Sequence, residues 1–216
     1  MLSTKKYPKI SVVIPCFHTE KYIDRCLNSI IQNTYRELEI ICVNDSSGDR
    51  MTKKLERFER LDSRIVIVNN LKNIGLYHSR IEGSRRATGD YICFVDSDDY
   101  VEKDFFRRLV FRAKEANADV VFSNICHVNK NDRYIFTDFN KEMIFPDDSS
   151  DFFKTYISSG GKYFRWHVVW DKLIKKSVWD KAFSQFESVK ERFMMCEDVV
   201  FSTGILTANK IINYLF

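Results

Sequence analysis

The sequence predicts an α/β protein with a mostly parallel central sheet, helices on both faces and a smaller irregular region toward the C-terminus. Three observations predict it. Short unbroken apolar runs (ISVVI, LEIICV, IVIV, YICFV, DVVFS) recur through the first 123 residues. Stretches with helical spacing separate them, and strands apolar on both sides are what a parallel sheet covered by helices requires. The polar clusters PCFHTE, NDSSGD and DSDD each follow directly on such a run. Right-handed crossovers place strand C-terminal ends on one sheet edge, where open α/β sheets bind ligands.

The elements follow in order. Residues 10–14 are β-branched and read as a strand stopped by Pro15. Ile23, Leu27, Ile30 and Ile31 recur at helical spacing within residues 20–33, with Thr19 as N-cap. Residues 38–43 form the second strand, and Met51, Leu55 and Phe58 mark a helix that Ser47 or Asp49 would cap. A third strand at 65–68 leads to a small-residue helix over about 76–87. The fourth strand, 91–95, closes on DSDD, and Phe105, Leu109 and Ala113 mark the helix before the strand at 119–123. The second half is less regular. It reads as a hairpin at 125–137 around NKND, a short helix at 151–158, a helix at 197–208 and a final apolar strand, IINYLF. The whole reads as one domain, with a first half to 123 and a second half from 124 that continues in a longer native chain or ends paired on the sheet.

Composition narrows the function. The 34 Lys+Arg against 30 Asp+Glu leave a net charge of +4, which argues against a disordered polyelectrolyte and against nucleic acid as partner. The six cysteines (16, 26, 42, 93, 126 and 196) include no C-x-x-C pair and read as reduced core residues of a cytoplasmic protein. No signal region or membrane-spanning stretch is present, while peripheral contact with the inner face of a membrane stays open. The sequence carries no signal for oligomeric state.

Asp96 and Asp98 are alternate acids at a strand end, able to reach one hard cation that takes the rest of its oxygens from a substrate phosphate. The competing reading is a cap for the following helix. Capping needs one acid, and three crowd this turn, a repulsion that a cation would relieve. Asp45, just after the second strand, is suited to accept hydrogen bonds from a ligand's ring N–H or hydroxyl. The four histidines (18, 78, 127 and 167) lack zinc spacing. Trp166, Trp170 and Trp179 read as core, with the acceptor side as the alternative. Lys172, Lys175, Lys176, Arg85 and Arg86 read as solvated faces, with anionic lipid as the minority alternative.

The chain resembles the family 2 glycosyltransferases. SVVIPCFHTEKYIDRCLNSIIQNTY is similar to the family's opening strand, turn and first helix, and IICVNDSSGD to its V-N-D-G-S-x-D strand. NIGLYHSRIEGSRRATGDYICFVDSDD resembles N-x-G-x-x-x-A-R-N-x-G followed by the A-T-G-[DE]-Y strand and the D-S-D-D site. VVWDKLIKKS and CEDVVF are similar to the later V-W-N-K-L and G-E-D-x-x-F motifs. The order and spacing of five motifs are far more specific than any one.

The resemblance implies a Rossmann-like GT-A fold and an inverting transfer from a nucleotide-diphosphate sugar, UDP more than GDP, to a glycan or lipid-linked acceptor in surface polysaccharide synthesis. It implies that Pro15, Phe17 and Glu20 line the nucleoside pocket and that Asp45 binds the base. Arg80 would lie near the diphosphate or sugar, Asp96 and Asp98 would hold the nucleotide sugar with Mn²⁺ or Mg²⁺, and Asp198 would be the catalytic base. The chain departs from the pattern at Phe17 for Tyr, His18 for Asn, Ser46 for Gly, Ser79 for Ala, Ile81 for Asn and Cys196 for Gly. The alternatives are a non-catalytic nucleotide-sugar-binding or partner domain, and a nucleotidyltransferase. The latter needs a Gly-rich phosphate loop that PCFHTEKY does not supply.

Overall fold

The computed structural model describes residues 7–128, 133–136, 143–145, 168–190, 198, 201 and 211–213. The chain divides into two compact units, Met1–Arg107 and Arg108–Phe216.

The first unit runs β1 (Ile10–Cys16), α1 (Ile23–Ile31), β2 (Leu38–Asn44), α2 (Asp49–Leu61), β3 (Ile65–Asn69), α3 (Leu76–Arg86) and β4 (Tyr91–Phe94). Its strands lie in the order β3-β2-β1-β4, and every neighbouring pair is parallel. The chain steps from β1 through β2 to β3, then returns to the other side of β1 for β4. The order reverses there, and open α/β sheets bind ligands outside the strand C-terminal ends at such a switch point.

Each helix buries the stripe its sequence offers. α1 covers the sheet with Ile23, Cys26, Leu27 and Ile30, and α2 with Met51, Leu55 and Phe58. α3 is held closer, since a Cβ on Gly83 would collide with the side chains of Val13 on β1 and Val43 on β2.

β1 does not stop at Pro15. Within a strand, successive residues direct their N–H and C=O to opposite neighbours. The Val13 carbonyl accepts from Val95 N beside β4, and the Cys16 carbonyl from Asp45 N beside β2. The N–H that proline lacks would therefore face β4, which ends at Phe94 opposite Val13. Pro15 sits where the sheet has opened and forfeits no ladder bond.

The opposite edge of the sheet is tied by Glu39. Its carboxylate accepts from Lys9 Nζ (2.6 Å), the Ser11 hydroxyl, and the Thr88 N–H and hydroxyl (2.5 and 2.7 Å). Gly89 N adds a longer bond at 3.1 Å. Burial alone would push this carboxyl up, but the bonds from Lys9, Ser11 and Thr88 prevail and hold it below its ordinary value. Asp90 completes the tie by accepting from Lys9 N at 2.8 Å. A Cβ on Gly89 would lie 2.7 Å from the Lys9 carbonyl, so the A-T-G-D stretch pins the start of β4 to β1.

α4 (Phe105–Glu115) crosses from the first unit into the second. The second unit continues with β5 (Val120–Phe122), a β6–β7 antiparallel pair (Ile125–Val128, Arg133–Phe136) and β8 (Met143–Phe145). β9 (Lys172–Lys175), α5 (Lys176–Ser188) and β10 (Ile211–Asn213) complete it. Its strands are ordered β9-β5-β10-β8, parallel between β5 and β10 and antiparallel at the other two pairings. Trp179, Phe186 and Phe201 pack in tilted and edge-to-face contacts with ring centroids 5.1–5.3 Å apart, and Trp179 is fully buried, core as expected.

Lys172 is not on a solvated face. It is 1% exposed, with Nζ 2.7 Å from the Asp171 carboxylate and 4.2 Å from the centre of the Phe122 ring. β9 pairs Lys172 directly opposite Phe122, so the ammonium is carried into the unit and must be neutralised there. Lys175 and Arg85 keep partial exposure, paired with Asp119 and Glu82.

Cys16, Cys26, Cys42 and Cys93 are buried free thiols. Among the described residues no helix is long and apolar enough to cross a membrane. The helix expected at 151–158, Trp166, Cys196 and Glu197 lie outside the described residues.

Candidate active site

The C-terminal ends of β1, β2 and β4, with the start of α3, gather seven of the residues singled out from sequence. Pro15 is buried in β1. Beyond it the chain turns through His18 at φ 54°, with Phe17 44% exposed and its ring tilted at 51° against the His18 ring, centroids 4.2 Å apart. Glu20 lies on the same turn, its carboxylate 3.9 Å from His18 Nδ1.

β1 and β2 are locked at this end, because the Cys16 carbonyl accepts from Asp45 N and from the Ser47 hydroxyl, both at 2.9 Å. Ser47 thus ties strands together instead of capping α2, whose N-cap is Gly48. Asp45 is 2% exposed. One carboxylate oxygen accepts from Asn70 Nδ2 and Ile74 N, the other from Gly75 N, all at 2.9 Å. The side chain therefore fastens the β3–α3 loop, a role that sequence reasoning missed. The signal was available, since Asn70 is also a polar residue at a strand end, yet NNLKN reads as an ordinary turn.

Arg80 on α3 is 1% exposed and donates from Nη2 to Asp96 Oδ1 at 2.8 Å. The close seat of α3 brings a long guanidinium to the β4 end inside the core. Asp96 remains 26% exposed. In the turn that follows, Asp99 N donates to the Asp96 carbonyl at 3.0 Å, and Ser97 shares a 2.8 Å hydrogen bond with Thr19. The Thr19 hydroxyl is therefore committed to this turn and does not cap α1, although the Thr19 carbonyl accepts from Tyr22 N and Ile23 N at 2.9 and 3.0 Å. α1 starts after Tyr22 with no side-chain cap bond. DSDD does not cap a helix either, because α4 begins only at Phe105.

Asp98 is exposed, and among the described residues its carboxylate accepts no hydrogen bond. The charge converging here reaches Cys26 below. Burial pushes that thiol well up, and negative charge at Cys42, Asp99, Asp96 and Asp98 pushes it further.

Among the described residues no three His, Cys, Asp or Glu side chains could enclose a metal ion unaided. The donor set of Asp98 with the outer oxygen of Asp96 fits a different arrangement. A hard cation there would share one or two carboxylates with the phosphates of its ligand. Asp198 belongs to the second unit, helical and half-buried.

The family model for glycosyl transferase family 2 matches residues 11–161. The chain belongs to that family. Glycosyltransferase GlyA of Streptococcus pneumoniae is 33% identical to this chain over 177 residues, 80% of the chain and 25% of GlyA. Among solved structures, S. aureus TarS 1-349 in complex with UDP-GlcNAc superposes with a TM-score of 0.77 at 22% identity, covering 95% of the chain and 56% of TarS 1-349. The mannosyltransferase PcManGT of Pyrobaculum calidifontis, in complex with GDP-Man and Mn²⁺, gives 0.57 at 16% identity, covering 82% and 47%. The likeness establishes the GT-A α/β fold. The chain spans between a quarter and about three-fifths of the length of these proteins.

Proposed function

We propose that this domain transfers a sugar, with inversion, from a nucleotide-diphosphate donor, a UDP-sugar, to a glycan or lipid-linked acceptor. In this reading 1–216 is a single GT-A domain whose first half takes the donor and whose second half serves the acceptor. One observation carries the reading. An exposed aromatic ring (Phe17), a core guanidinium bound to Asp96 (Arg80) and an outward carboxylate (Asp98) meet at one sheet edge. The base of a nucleotide wants an aromatic face, its diphosphate wants positive charge, and its counter-ion wants an oxygen ligand.

The roles follow from the chemistry. Phe17 stacks on the base, with Pro15 and Glu20 walling the nucleoside. Asp45 holds residues 70–75 as the pocket floor and offers its remaining lone pairs to the base. Arg80 is held by Asp96 so that its positive charge faces the leaving diphosphate without reorganising. Asp98 and Asp96 would hold Mn²⁺ or Mg²⁺, which when bound supplies Lewis-acid relief of the charge building on the leaving oxygen. Asp198 accepts the proton of the attacking hydroxyl. A carboxylate is a weak base at neutral pH, but that hydroxyl grows acidic as its bond to the sugar forms.

Relatives named for poly(ribitol-phosphate) glucosylation and teichuronic acid biosynthesis support surface polysaccharide synthesis as the setting. With a lipid-linked acceptor the domain would work at the inner face of a membrane.

The test is a thermal-shift panel of UDP- and GDP-sugars with and without Mn²⁺, followed by assay of nucleotide release. A Mn²⁺-dependent rise with a UDP-sugar and steady UDP release are expected. A rise without release would leave a binding domain, and no rise with any nucleotide would end the donor reading.

A further inference from the structure

We propose that Arg25 is a positioning residue for the Asp98 carboxylate, and that the polar stripe of α1 around it holds the D-S-D-D turn as a preorganised cation platform. The inference rests on the reading of Asp98 as a cation ligand.

The turn lacks regular structure of its own. Between the end of β4 at Phe94 and the start of α4 at Phe105, the backbone is neither helix nor strand. What fixes it is a succession of bonds from α1 and the residues that flank it. Thr19 meets the Ser97 hydroxyl at 2.8 Å, and Cys26 Sγ donates to the Asp96 carbonyl at 3.7 Å. Arg25 Nη2 donates to the Asp98 carbonyl at 2.8 Å. The Ser29 hydroxyl accepts from Val101 N at 3.1 Å, and Asn33 Nδ2 donates to the Glu102 carbonyl at 3.0 Å. Arg25 and Ser29 lie four residues apart, which puts them on one side of α1, and Asn33 follows just past its C-cap. The apolar stripe of α1 packs on the sheet with Cys26 at its border, and Arg25 and Ser29 grip the turn from the polar side.

Arg25 has a distinct place in the succession. Among the described residues it makes the one hydrogen bond that reaches Asp98, and it does so at the backbone, leaving the carboxylate open. The direction of that carboxylate is then set by a peptide unit that Arg25 holds. The guanidinium itself is steadied by the Tyr100 ring, 4.6 Å from its carbon to the ring centre. One planar group thus spans the turn from the carbonyl of 98 to the ring of 100. A lysine ammonium lacks the flat face and the fork needed to do both. Cation ligands must be held to a fraction of an ångström, so a turn that swings freely binds the ion less well with the same carboxylate present.

The experiment titrates Mn²⁺ against the full chain at fixed UDP by calorimetry, with melting midpoints as the check on folding. Arg25→Gln is expected to raise the Mn²⁺ concentration for half-saturation about tenfold, the loss of one charge-assisted hydrogen bond. UDP affinity at saturating Mn²⁺ should return to the parent value, a separation that a merely structural role would not produce. Arg25→Lys should not rescue, and Tyr100→Leu should give a smaller rise in the same direction. Half-saturation within twofold of the parent in Arg25→Gln, or full rescue by lysine, overturns the proposal. Asp98→Asn separates the two levels. If it leaves the Mn²⁺ requirement unchanged, the ligand reading itself fails. If it removes that requirement while Arg25→Gln leaves half-saturation within twofold of the parent, only the positioning role fails.

Discussion

The two ends of the parallel sheet in the first unit carry carboxylates in opposite circumstances. At the N-terminal edge, Glu39 is saturated by bonds from Lys9, Ser11, Thr88 and Gly89, which clamp β1, β2 and β4 in register. At the C-terminal edge, Asp96 holds one bond from Arg80 and keeps an exposed face, and Asp98 faces outward. The two edges are built from the same residue types. The difference lies in donors: one edge uses its acids to close the structure, the other leaves acceptor capacity for something the chain does not supply. A fully satisfied buried network rigidifies, whereas the exposed oxygens of Asp96 and Asp98 stay open to solvent, the capacity that the proposed donor site would use.

The largest expected effect comes from Arg80→Met, which strips the C-terminal edge of its core cation. Removing one member of a buried pair costs about 3–5 kcal/mol, and the partial exposure of Asp96 puts this case at the lower end. Transfer should fall by about two orders of magnitude or more beyond any loss of folded protein, because the diphosphate loses its preorganised charge. Urea unfolding alongside initial rates measures both. A variant with normal turnover would erase the distinction between the edges. Gly89→Ala is the counterpart at the other edge. Its Cβ would meet the Lys9 carbonyl at 2.7 Å, so stability should drop by about 1–3 kcal/mol from overpacking. Turnover per folded molecule should hold, and a specific loss of kcat would mean that the N-terminal edge reaches the chemistry.

How far the sequence anticipated these edges depends on where the information resides. The apolar runs and the clusters after them are local, so the strands, their parallel pairing and the gathering of PCFHTE, NDSSGD and DSDD at one edge could be read from order and spacing, while Arg80 was placed there only by the family resemblance. Glu39 was invisible because a single acid within LEIICV looks like one solvent-facing residue of a strand. Its partners lie up to 50 residues away and meet it only once β4 is placed. Lys172 misled for a related reason. Lysine in a basic stretch reads as solvated, whereas its burial is fixed by register with Phe122 and by Asp171 next to it. Pro15 was read as a stop because local chemistry does not reveal which neighbour a strand has at its last residues.

Acid sharpens the comparison further. The bonds to Glu39 hold its folded-state carboxyl below the ordinary 4.5, so its stabilisation is fully present above about that pH and fades as pH falls through the folded-state value. Glu39→Gln should therefore be less stable than the parent at pH 7. The gap in unfolding midpoint should narrow as pH drops below about 4.5, because the parent then takes up the proton that the variant no longer needs. A gap unchanged between pH 7 and pH 3 would show that Glu39 acts through packing or neutral hydrogen bonds and not through its charge.

The smallest effect tests strain. Outside glycine, the positive φ values among the described residues of the first unit fall at His18 (54°) and Ser46 (59°), in the turns that follow β1 and β2. The motifs that the chain resembles carry Asn and Gly at these places, the residues best suited to the left-handed region. Ser46 precedes Ser47, so its left-handed backbone turns the chain back for Ser47 N to reach Asn44 Oδ1 and for the Ser47 hydroxyl to reach the Cys16 carbonyl. Ser46→Gly should relieve that cost and gain about 0.5–1 kcal/mol, the larger entropy of glycine in the unfolded chain taking back part of the benefit. At this chain length the gain amounts to about 1–4 °C in melting midpoint. A fall in midpoint would mean that the serine side chain contributes more here than its backbone conformation costs, and the C-terminal edge would then hold no stored strain at this turn.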